Sequence, residues 1–64
     1  MGAGRVQTFI FFLLGGLSPT PPYTVEDFSA PEAALAFAHD LLALTTYSGI
    51  EVRLGDVQIG LVER

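Results

Sequence analysis

His39 is the only histidine in a chain of 64 residues that contains no cysteine. A zinc site draws its ligands from several histidine and cysteine side chains, and no second one of either kind is present to complete it. At helical spacing the neighbours of His39 are Leu35, Ala36, Leu42 and Ala43, so a surface or interface role is expected. Glu26, Asp27 and Glu32 lie close together in sequence. Paired carboxylates can hold a divalent cation or exchange protons. Acids just ahead of a helix are also what its positive end attracts, and that structural role is the expected one. Ser18, Ser29 and Ser48 have no base with a third orienting group, which a hydrolytic triad requires. Neither the early "GAG" nor the "GG" at Gly15 and Gly16 opens a helix as a phosphate loop does. The expectation is a protein without catalytic residues, cofactor or metal.

Charge narrows the partners. Three basic residues stand against seven acidic ones, a net charge of −4, with Arg5, Arg53 and Arg64 far apart. Nucleic-acid binders present a basic stripe to the phosphates, so no nucleic-acid partner is expected. DNA mimicry needs dense acids on one surface, and here they are scattered. Arg5 ahead of an apolar run has the outline of a secretion signal, but "SPTPP" follows where a small-x-small cleavage site would stand. The apolar run is shorter than the ~18 residues a membrane helix needs. The expected location is cytoplasmic, in a bacterium or phage, with no membrane partner.

The elements around these residues are legible from pattern. "MGAG" reads as a loose start. Val6 to Leu14 is aromatic and β-branched, which favours a strand. Phe9, Phe11 and Leu13 fall on one face, and Thr8, Ile10, Phe12 and Leu14 on the other. Both faces are apolar, the pattern of a strand covered on both sides. Gly15 to Pro22 is turn chemistry. Tyr23 to Phe28 reads as a short edge strand returning antiparallel to the first.

Ser29-Ala30-Pro31-Glu32 fits a capping box, with Phe28 as its hydrophobic staple. The helix is predicted from about Ala30 to Leu44, with Ala30, Ala33, Ala34, Phe37, Leu41 and Leu44 as the core stripe. Leu35 and Leu42 fall at its margin, on the side of His39. Gly49 is the predicted helix terminator. Ile50 to Val62 reads as a hairpin about a Gly55-Asp56 turn of type II′. That turn predicts Leu54 opposite Val57, Val52 opposite Ile59 and Ile50 opposite Leu61, with Glu51, Arg53 and Gln58 outward.

The sum is one α+β domain: a single four-stranded, mostly antiparallel sheet in the order ββαββ, with one helix on one face. In this order "FIFF", "VED", "PEAALAFAHDLL" and "IEVRLGDVQIGLV" resemble small uncharacterised bacterial domains, and the resemblance implies the same ββαββ fold. The alanine-rich helix opened by Glu32-Ala33 after a strand is also similar to antitoxins of small RNA-cleaving toxins. Those usually add a glycine-rich segment and a DNA-binding element that this chain does not show.

One helix covers one face, so the second apolar face of the first strand needs another cover. Three large side chains left in water forgo about 1.5–3 kcal/mol each. The expected function is a protein–protein interaction module that pairs with itself as a homodimer. Ile10, Phe12 and Leu14, with Leu35 and Leu42 on the helix margin, are the candidate interaction residues. An antitoxin-like or phage-type inhibitor, docking on one enzyme through its acidic surface, is the alternative. A third possibility is that "MGAG" and the proline-rich loop fold back over the patch.

Overall fold

The computed structural model describes residues 5–64. The "MGAG" segment lies outside them. The elements are β1 (Gln7–Leu14), β2 (Tyr23–Phe28), α1 (Pro31–Ala43), β3 (Gly49–Leu54) and β4 (Val57–Glu63). They form one antiparallel four-stranded sheet in the order β2-β1-β3-β4. The ββαββ reading therefore holds, with β2 on the edge. β2 and β3 both run antiparallel to β1, so they run parallel to each other across it. Parallel strands cannot be joined by a tight turn and need a crossover. α1 is that crossover, and it lies over the Phe9 and Phe11 face of β1.

Between helix and sheet, Phe9, Phe11, Ala34, Ala38, Leu42, Ile50, Val52 and Val62 are buried. Phe11 meets the rings of Phe37 at 5.0 Å and Phe28 at 6.2 Å, edge-on in both cases. Phe28 and Phe37 are 5.4 Å apart. Tilted and edge-on rings at these separations add to plain area burial.

Four expectations need correction. First, the helix presents Ala34, Ala38 and Leu42 to the sheet. Ala33 is exposed and Leu44 is 84% exposed. Alanines at the centre let the helix approach the strands, while the larger Leu35, Phe37 and Leu41 pack along its flanks. Leu42, expected at an interface, is 5% exposed and belongs to this core.

Second, the N-cap is Ala30, in an extended conformation, and no side chain caps it. The Ala30 carbonyl accepts from the N–H groups of Ala33 and Ala34. With the helix starting at Pro31, Ser29 lies one residue too early to form the box. Phe28, displaced from the staple position, packs on Phe37 instead.

Third, no glycine ends the helix. Gly49 is the buried first residue of β3. The helix closes at Leu44, whose N–H reaches the carbonyls of Asp40 and Leu41 at 3.2 Å. No base sits in the last turn, but Arg64, just after β4, supplies one. Its Nη2 donates to the Leu42 carbonyl at 2.7 Å and to that of Thr45, and its Nε donates to the Tyr47 carbonyl at 2.7 Å. A cation on these carbonyls complements the negative end of the helix.

Fourth, the hairpin register slips. Leu54 opposes Val57 as expected, and Gly55 alone in the turn has a positive φ, 64°, as type II′ requires. A bulge then intervenes, so Val52 opposes Gly60, Ile50 opposes Val62 and Glu51 opposes Leu61. The bulge seats Gly60 beneath α1, where an added Cβ would stand 2.8 Å from Leu35 Cδ2. A side chain there would require the tip of Leu35 to shift. Past the bulge the two faces exchange. Val62 becomes a core residue and Leu61 turns to the opposite side.

Candidate interaction surface

The face of the sheet away from α1 is assembled by register. Cα partners across antiparallel strands share a face. Tyr23, Phe12, Glu51 and Leu61 form one row, and Val25, Ile10, Arg53 and Gln58 the next. Leu14 extends the first strand beyond them. On the other side Thr8 pairs with Asp27, the threonine hydroxyl donating to the carboxylate at 2.7 Å.

The two halves of this face differ. Across β2 and β1 it is apolar: Val25 is 45% and Tyr23 63% exposed, with the Tyr23 ring 5.8 Å from that of Phe12. Ile10, Phe12 and Leu14 are half-buried by their neighbours on the sheet. Across β3 and β4 it is polar: Arg53 Nη1 lies 3.5 Å from Glu51 Oε2, and Arg53 Nη2 donates to the Asp56 carbonyl at 2.9 Å. Leu61, 47% exposed, adds an apolar side chain at the far edge.

No second layer of the described chain covers this face. The proline-rich loop does not fold back on it. Gly15 to Pro22 are all exposed, and the loop is fastened at its ends, where Leu13 N–H donates to the Pro22 carbonyl at 2.8 Å and Ser48 N–H to the Leu14 carbonyl at 2.9 Å.

Of the sequence-derived interaction residues, Ile10, Phe12 and Leu14 therefore lie together on the open face. Leu35 and Leu42 lie on the other side of the sheet, Leu35 half-buried over Gly60 and Leu42 in the core. Tyr23 and Val25 extend the patch. Their alternation along β2 is the signal that identifies them, once that strand is placed beside β1. Leu61 carried no such signal, because its facing depends on the bulge.

The groups weighed for catalysis stay apart. His39, Glu26, Asp27 and Glu32 are exposed. Among the described residues no group of three histidine or acidic side chains could hold a metal, and no cavity is present. Ser18 and Ser48 donate to main-chain carbonyls, those of Thr20 and Leu14. No described helix is long and apolar enough to cross a membrane. No protein-family model, curated protein or solved structure matches the chain.

Proposed function

We propose that the chain is a non-catalytic protein–protein interaction module that associates with a second copy of itself through the open face of the sheet. One observation carries the reading. Ile10, Phe12, Leu14, Tyr23 and Val25 form a contiguous apolar patch on a face that no described residue covers. Contiguous apolar surface of this kind, half-buried at Ile10, Phe12 and Leu14, exposed at Tyr23 and Val25 and bordered by charge, is a property of docking surfaces. A second copy is the simplest occupant, because a two-fold axis presents the same patch to itself.

Phe12→Asp tests it. The side chain is not part of the helix-covered core, so the variant is expected to keep its circular-dichroism spectrum and run as a monomer by light scattering. Loss of folding would make Phe12 an interior residue and remove the basis for the reading.

The acids support a second reading, an inhibitor-like or antitoxin-like regulator docking on one basic protein. Seven acids face three bases, and among the described residues only Glu51 is ion-paired. Salt distinguishes the two, since a charge-steered complex weakens sharply as salt rises and an apolar homodimer resists it.

A further inference from the structure

The polar half of the open face has a pattern that the apolar patch alone does not explain. Glu51 and Arg53 are two residues apart on β3, level with Phe12 and Ile10 respectively. Opposite charges therefore occupy equivalent places in adjacent rows. We infer that the occupant of this face is a second copy whose two-fold axis lies in the interface, perpendicular to the strands, between the Tyr23–Phe12–Glu51–Leu61 row and the Val25–Ile10–Arg53–Gln58 row. The inference rests on the homodimer reading and gives it a geometry.

This axis lays each row on the other row of the partner. Phe12 meets the partner's Ile10, Tyr23 meets the partner's Val25, and Glu51 meets the partner's Arg53, each contact occurring twice. On β1 and β2 the central apolar pairs fall on apolar ones, on β3 each charge falls on its opposite, and at the margins Leu61 falls on the partner's Gln58 and Leu14 on the partner's Thr8. The remaining acids of this face, Asp27 and Glu63, stand at opposite corners and do not meet their own copies. Strands run aligned and antiparallel between the two sheets, the packing that sandwiches adopt at about 30°.

Other axes do worse. A two-fold axis along the strands at mid-sheet sets Phe12 on Glu51 and Ile10 on Arg53. Moved between β1 and β2, it covers only those two strands. At about 4.8 Å per strand that is a strip roughly 10 Å wide, narrow for an interface of about 800 Å² per partner. Covering all four strands buries charge, which is tolerable only when each charge is paired. The guanidinium has donors to spare: one goes to the Asp56 carbonyl, and the Glu51 carboxylate lies 3.5 Å from Nη1, leaving others for the partner's carboxylate.

Charge reversal tests the geometry. The dimer dissociation constant is measured by sedimentation for the native chain, Arg53→Glu, Glu51→Arg and the double exchange, with circular dichroism confirming the fold of each. Each single reversal sets like charges face to face and is expected to weaken the dimer at least about 10-fold. The double exchange restores every opposite pair and is expected to return to within about 3-fold of native. It also lacks the Arg53 bond to Asp56, so its recovery cannot be credited to the turn. If a single reversal fails to fold, the neutral Arg53→Gln and Glu51→Gln carry the test and are expected to weaken association. A native dimer whose double exchange is no stronger than the single reversals would overturn the geometry and leave the homodimer standing. A native chain monomeric at every concentration would overturn both.

Discussion

The two faces of β1 are made from the same kinds of residue and meet different fates. Phe9 and Phe11 are fully buried under α1, with Leu13 packed beside them. Ile10, Phe12 and Leu14, interleaved with them along the same strand, face away from the helix. Nothing in the local chemistry separates the two sets. What separates them is the single crossover, which can cover only one side of the sheet. A central strand that is apolar on both sides fits a three-layer arrangement, and the described residues supply two layers. The apolar residues on the second side are in excess of what its own core uses, and that excess is the argument for a partner.

The contrast is broken most severely from the buried side. Phe11→Ala is expected to cost about 3–5 kcal/mol, read by urea denaturation, because it empties the middle of the Phe28 and Phe37 cluster. The neighbouring Phe12→Ala, measured where the chain is dilute enough to be monomeric, is expected to cost about 1 kcal/mol or less. Equal losses would mean that the two faces are equally structural. Arg64→Ala tests the clasp on the helix carboxyl end and is expected to lose about 1–2 kcal/mol, with Arg64→Lys recovering only part, since one ammonium cannot reach the carbonyls of Leu42, Thr45 and Tyr47 as the planar fork does. The smallest effects are at the helix start. Ala30→Ser is expected to stabilise by about 1 kcal/mol by supplying the missing cap, and Ser29→Ala to change stability by less than about 0.5 kcal/mol. The reverse order in thermal melts would place the cap at Ser29.

Sequence pattern specified the elements, the edge position of β2 and the two faces of β1, because these depend on local alternation and turn chemistry. Three features depended on contacts that pattern does not weigh. The helix stripe centres on Ala34 and Ala38, since closeness to the sheet favours small side chains where a hydrophobicity count favours Phe37 and Leu41. The bulge brings Gly60 beneath Leu35, a contact between residues far apart in sequence, and it reverses the facing of Leu61 and Val62. The cap moved by one residue, which was enough to detach Ser29 from its expected role. Within the open face, Ile10, Phe12 and Leu14 were legible from strand alternation alone. Their neighbours Tyr23 and Val25 needed the strand order, and the placing of Glu51 and Arg53 beside them needed the register of β3 on β1.

Sedimentation equilibrium of the native chain over a range of concentrations decides whether the open face pairs two copies. A particle approaching twice the 6.8 kDa chain mass as concentration rises, and still forming in added salt, is the predicted result. A particle of the single-chain mass throughout would contradict it.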